Sequence, residues 1–147
     1  MTLKDRLNDA MKAAMKARDT LRLSAVRMVL AAIKNREIDT RTELDDQAVT
    51  DVISTLAKQR RESIRMFRDG NRFELAEKEE SELSVLLEFL PTQLNPDEID
   101  SLISQIILDI EAHGVKDMGR VMKAVTPLTT GKADGKVVSD AVRRLLA

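Results

Sequence analysis

Before Pro91 the sequence contains one helix-breaking residue, Gly70, and no proline. After it come Pro96, Gly114, Gly119, Pro127, Gly131 and Gly135. Glycine and proline punctuate regular backbone, so this distribution constrains the fold more than any motif does. It predicts long helices in the first part and short helices joined by tight turns in the second. Five glycines and three prolines in 147 residues are too few for a turn-rich all-β chain. The expected fold is therefore all-α. A domain of about four helices, built on a long helical hairpin, should span residues 1–91. A small three-helix bundle should span 92–147. The boundary falls at Pro91-Thr92-Gln93-Leu94-Asn95-Pro96, where two prolines restrict the backbone.

Hydrophobic spacing fills in the helices. Thr2 with Asp5 forms a capping pair for a first helix that carries Leu3, Leu7, Ala10, Ala14 and Ala17 on one face. A second helix, about Leu21 to Ile38, turns Leu23, Val26, Leu30 and Ile33 inward. The third starts near Asp45, buries Val49, Val52, Ile53, Leu56, Ile64 and Phe67, and stops at Asp69-Gly70. The fourth, about Asn71 to Leu90, buries Leu75, Ala76, Leu83, Leu86, Leu87 and Leu90. Glu77, Glu79, Glu80 and Glu82 crowd its exposed side. In the second part, Asn95-Pro96-Asp97-Glu98 opens a helix with the apolar stripe Ile99 to Ile110. Asp117 caps a short helix that runs through Val125 and is stopped by Pro127, with Thr126–Thr130 as a connector. Asp134 caps the last helix, with Val137, Val138, Ala141, Val142 and Leu145 inward.

Composition narrows the chemistry. Without cysteine there is no disulfide framework, thiolate metal site or thiol nucleophile. One histidine, His113, leaves little room for imidazole catalysis, and its place at a predicted helix C-terminus suits a dipole interaction. No Gly-x-Ser-x-Gly elbow or phosphate-binding glycine loop is present. Asp45-Asp46 and Glu79-Glu80 are adjacent pairs, which helix geometry splits to different sides. The reading is no active site, no metal and no cofactor. A net charge of −1 excludes a uniformly basic nucleic-acid coat. No apolar run long enough to span a bilayer or to form a secretory leader is present, and with the absence of cysteine this suggests a cytoplasmic protein.

Two basic clusters remain. Lys58, Arg61, Arg65, Arg68 and Arg72 recur at intervals of 3, 4, 3 and 4, which places them on one helical stripe if the helix continues through Arg68 and bends little after it. Arg60 lies beside it. Such a stripe can follow phosphates, or be a solvated face partly paired by Glu62, Asp69 and the acidic fourth helix. The second cluster is Met118-Gly119-Arg120-Val121-Met122-Lys123 with Gly131-Lys132-Ala133-Asp134-Gly135-Lys136. Gly119 inside a helix permits close packing of another helix or close approach of a ligand. Gly131-Lys132 precedes a helix N-terminus whose amides can hold an anion, or is simply turn chemistry before an N-cap.

These clusters also carry a family resemblance. Asp117-Met118-Gly119-Arg120-Val121-Met122-Lys123 followed by Gly131-Lys132-Ala133-Asp134-Gly135 resembles the signature of YqeY-like proteins. Lys58-Gln59-Arg60-Arg61-Glu62-Ser63-Ile64, Leu75-Ala76-Glu77-Lys78-Glu79 and Leu90-Pro91-Thr92-Gln93-Leu94 match in the same order, and Arg22-Leu23 through Ile33-Lys34-Asn35 extends the match. That family is similar to the C-terminal tRNA-handling region of GatB, a subunit of the aspartyl/glutamyl-tRNA amidotransferase. A similar domain is appended to some glutaminyl-tRNA synthetases. The resemblance implies a helical N-terminal domain, a three-helix C-terminal domain and a link to tRNA. The Thr126-Pro127-Leu128-Thr129-Thr130 connection is longer than in GatB-like tails and fits the free-standing branch.

The expected function is a tRNA-binding or tRNA-amidation accessory module without its own active site. Its candidate phosphate contacts are Lys58, Arg61, Arg65, Arg68, Arg72, Arg120, Lys123, Lys132 and Lys136. Gly119, Met122, Gly131, Asp134 and Gly135 are its motif positions. The alternative is a helical adaptor for an aminoacyl-tRNA synthetase or amidotransferase. A glutamine-dependent carbon–nitrogen ligase activity follows from the resemblance alone.

Overall fold

The computed structural model describes residues 1–147. The chain is all-helical. It contains α1 (Leu3–Ala17), α2 (Thr20–Thr40), α3 (Asp46–Asp69), α4 (Phe73–Leu87), α5 (Pro96–Asp109), α6 (Met118–Thr129) and α7 (Gly135–Leu146), with a 3-10 turn at Val115–Asp117 before α6. Two compact units divide it, Met1–Pro91 and Thr92–Ala147.

Local chemistry sets most helix ends. Thr2 accepts from the Asp5 amide while the Asp5 carboxylate accepts from the Thr2 amide, which satisfies two otherwise orphaned donors at the start of α1. Asn95 and Glu98 do the same for α5, with Pro96 at its first position. Asp45 caps α3 through the Ala48 amide, and Asp134 caps α7 through the Lys136 amide. α1 ends where Arg18 takes the left-handed conformation, φ 56°. That single residue lets α2 restart almost at once.

In the first unit, Leu7, Val26, Val29, Ile33, Val49, Ile53 and Leu86 from four helices form one continuous core. Each fully buried branched side chain contributes roughly 1.5–3 kcal/mol over an exposed one. The start of α1 is tied to the far end of α2 and the beginning of α3. Leu3 N donates to Asp46 Oδ1 at 2.9 Å, and Lys4 Nζ lies 2.8 Å from Glu37 Oε2 and 3.2 Å from Glu43 Oε1. Glu37 Oε2 also accepts from Leu44 N at 2.9 Å. These bonds raise the Lys4 pKa, chiefly through Glu37, and hold the Glu37 carboxyl below its ordinary range, chiefly through Lys4 and then the Leu44 amide.

In the second unit, α5, α6 and α7 close around Ile99, Ile103, Val121, Val125, Val138 and Val142. The segment entering α5 is stitched to the turn before α7. Leu94 N donates to the Lys132 carbonyl at 2.8 Å, and Gln93 Nε2 donates to the Gly131 carbonyl at 2.8 Å. Gly131 is buried there with φ 78°, a conformation that a side chain would strain.

Four sequence expectations change. Asp117 precedes α6, but its carboxylate makes no cap bond there and accepts from the His113 amide instead. Pro127 does not stop α6 but lies inside it, and Thr126–Thr129 is helical. The helix ends at Thr129, so the missing proline amide costs one ladder bond at the Lys123 carbonyl. The Thr126 and Thr130 hydroxyls bond the Met122 and Thr126 carbonyls, each at 2.7 Å, and hold the last turn. Leu75 and Val137, expected inward, are 38% and 45% exposed. In both first turns the inward position is taken by the next residue instead, Ala76 and Val138, which are buried. α2 and α4 also differ at their ends, with α2 extending to Thr40 and α4 shortened to Phe73–Leu87.

Candidate nucleic-acid interface

α3 carries Lys58, Arg61, Arg65 and Arg68 on one side because its buried residues, Val49, Val52, Ile53, Ala57 and Ile64, occupy another. The four cations run along roughly 15 Å of helix axis. Lys58 and Arg68 are exposed, and Arg61 and Arg65 are half-buried. Arg68 pairs with Glu80 of α4. Arg72 does not continue the stripe. The chain has already reversed at Gly70-Asn71, and Arg72 is the residue before α4. It is exposed, as is Lys58, and neither forms an ion pair with a carboxylate.

Arg60 behaves differently from its neighbours. Its guanidinium turns into the α3–α4 hairpin, where Nε lies 3.0 Å from Glu79 Oε2 and 2.9 Å from Glu82 Oε2, and Nη2 points at the Met28 sulfur of α2. Neither carboxylate approach has hydrogen-bond alignment, so Arg60 Nε and Glu79 Oε2 are held by charge alone. The side chains of Arg60, Glu79 and Glu82 are only 18%, 20% and 12% exposed. The expectation that Glu79, Glu80 and Glu82 crowd the exposed side of α4 is therefore corrected. Two of them face a buried cation, and Glu80 is half-buried. Arg60 was not a candidate residue, because its spacing sets it off the stripe. Only the pairing of α3 with α4 reveals its role.

In the second unit the motif residues separate by function. Arg120 donates from Nη2 to the Ile110 carbonyl at 2.8 Å, and its Nη1 lies 3.4 Å from Asp117 Oδ1. It thereby caps the C-terminus of α5 from the first turn of α6. Asp117 also accepts from the His113 amide at 2.7 Å, and that bond, ahead of Arg120, lowers its carboxyl pKa. Lys136 pairs with Asp140 at 3.2 Å. Lys123 and Lys132 are exposed and form no ion pair.

The turn before α7 is already occupied. The amides of Lys132 and Ala133 both donate to the Thr129 carbonyl, and the Asp134 carboxylate takes the Lys136 amide. An added Cβ at Gly119 or at Gly135 would meet nothing within 4 Å. Gly119 thus answers to no packed helix, and both positions lie open to solvent. Met122 is half-buried against the core of this unit. An open cleft of about 670 Å³ lies nearby, lined by Leu94, Asn95, Asp97, Glu98, Ser101, Leu102, Leu128 and Lys132. No group of three or more His, Cys, Asp or Glu residues could hold a metal ion, and no helix is long and apolar enough to cross a membrane.

The model of the family described as Yqey-like protein matches residues 4–146. Among curated proteins, the chain is similar to fungal proteins named altered inheritance of mitochondria protein 41, mitochondrial. The Lachancea thermotolerans relative is 38% identical over 109 residues, covering 71% of this chain and 58% of the relative. The Vanderwaltozyma polyspora relative is 35% identical, covering 81% and 66%. The Eremothecium gossypii relative is 32% identical over 145 residues, covering 96% and 79%. The chain thus spans about three fifths of the length of the first of these. The relatives' names overturn the cytoplasmic expectation, since they are mitochondrial proteins. The lack of a long apolar run and of cysteine carried that expectation, and neither distinguishes the cytoplasm from another reducing compartment.

Proposed function

Because the chain belongs to the YqeY-like protein family, we propose that it is an RNA-binding accessory module with tRNA as its ligand class. The proposal gives it no independent catalytic role. On the relatives' names, the setting we infer is mitochondrial. The observation that carries the reading is the line of cations on α3, Lys58 to Arg68, spaced three and four residues apart along one helix. Residues three and four apart on a helix lie 5–6 Å from one another, so such a line can meet successive phosphates. Contacts of this kind position RNA without reading its sequence. In the second unit, the candidate cations Lys123 and Lys132 are exposed and form no ion pair. Arg120 and Lys136 are committed first to Ile110, Asp117 and Asp140. We treat each unit as a domain that contributes its own contacts.

Anisotropy titration of bulk tRNA at two salt concentrations tests this. Binding should weaken steeply with salt. Joint replacement Lys58→Glu, Lys123→Glu and Lys132→Glu should weaken it and flatten the salt dependence by about 2 to 3 charges' worth. Absence of binding at low salt, or unchanged binding by the triple variant, would sink the reading. Arg120 is left intact because its loss would disturb the α5 cap.

The cleft lined by Leu94, Leu102 and Leu128 favours a second reading, an adaptor for an aminoacyl-tRNA synthetase or amidotransferase. Protein recovered with the chain regardless of nuclease treatment would support it.

A further inference from the structure

We propose that Phe73 is a stacking platform for an unpaired base, so that the α3–α4 tip selects looped RNA over uninterrupted duplex. The inference rests on the RNA-binding reading above and names the structural class of RNA.

The chain has three phenylalanines. Phe89 is buried, with the Arg6 guanidinium 5.7 Å from its ring centre, and Phe67 is half-buried. Phe73 is 56% exposed at the first position of α4. More than half of this residue is left in water, just beyond the α3 cations. The backbone beneath it is closed by its own bonds. Gly70 N donates to the Met66 carbonyl at 3.0 Å, Asn71 N to the Arg68 carbonyl at 3.0 Å, and Arg72 N to the Phe67 carbonyl at 2.7 Å. The ring is therefore presented on an ordered turn, and little further ordering is needed when a ligand covers it. Arg72, the preceding residue, is exposed with no carboxylate partner.

An exposed ring preceded in sequence by an uncommitted guanidinium supplies the two groups that hold a splayed nucleotide. The base stacks on the ring and the cation meets the adjoining phosphate. Asp69 and Glu74, both exposed, lie within four residues of Phe73 in the sequence. They would have to be desolvated for the tip to enter a lipid layer, whereas a stacked base covers the ring alone.

The test is anisotropy titration of the full chain against a stem–loop RNA and a blunt duplex with the same number of phosphates. Phe73→Ala should weaken stem–loop binding about tenfold, leave duplex binding unchanged and leave the salt slope unchanged, since no cation is lost. Phe73→Trp should retain the preference. Thermal melts should show both variants folded, because the side chain is exposed. Equal loss on both RNAs, or loss on neither, overturns the inference while the RNA reading stands. A wild-type chain that binds neither RNA overturns both. Loss of binding to anionic vesicles by Phe73→Ala, with RNA binding unaltered, would assign the tip to a membrane surface instead.

Discussion

Glu37 shows how much one side chain in this molecule can decide. It accepts from Lys4 and from the Leu44 amide, and so fastens the start of α1 to the loop between α2 and α3. Its pKa is lowered in the folded chain by those two partners. A carboxyl with a depressed folded pKa contributes stability above its unfolded pKa and loses it as pH falls through the folded value. Glu37→Gln should therefore lower the melting temperature at pH 7. The gap between variant and wild type should close as pH falls below the ordinary carboxylate range, about pH 4. Melts from pH 3 to pH 7 check this. A constant gap across that range would mean that packing, not charge, was lost. Lys4 has the opposite sign, since its raised pKa makes its contribution fade only as pH rises through that value.

At the scale of elements, the α3–α4 hairpin has the least conventional interior. Its distal half contributes Ala57, Ile64 and Ala76 as buried residues, and these lie outside the continuous core of the first unit. Arg60, Glu79 and Glu82 fill the space between the two helices instead. Removing one member of such a group strands the others, while replacing the whole group by apolar residues need not cost stability. Arg60→Ala should destabilise the first unit by about 3 kcal/mol. The triple change Arg60→Met, Glu79→Leu, Glu82→Leu should recover most of that loss. Denaturant melts of the two variants measure the difference. If the triple variant were as unstable as the single one, the cluster would be stabilising in its own right. The same hairpin explains why the basic stripe was only partly legible. Periodicity identified Lys58, Arg61, Arg65 and Arg68, since neighbours in sequence fix a helical face. It overran at Arg72, because spacing was carried across Asp69-Gly70, which the sequence already marks as the end of the helix.

For the whole molecule, two separate cores predict separable folding. The Thr92–Ala147 unit has its own apolar cluster and its own capping bonds. Domains of this size bury about 60% of their unfolded surface and many fold alone. A fragment of residues 92–147 should melt cooperatively with a helical far-ultraviolet spectrum. A non-cooperative melt would show that the second unit depends on the first.

The sequence by itself determined the all-helical class, the capping residues at Thr2, Asp45, Asn95 and Asp134, and most of the apolar faces. These depend on interactions within about four residues, and a one-dimensional pattern contains them. It also carried the family resemblance, through motifs in fixed order. Only the tertiary structure decided which charges are free. Arg60 faces two glutamates 19 and 22 residues away, Arg120 reaches back to Ile110, and the Lys132 and Ala133 amides are spent on Thr129. Whether a cation is available to a ligand depends on the register in which helices pack, and side-chain spacing along one helix does not contain that register.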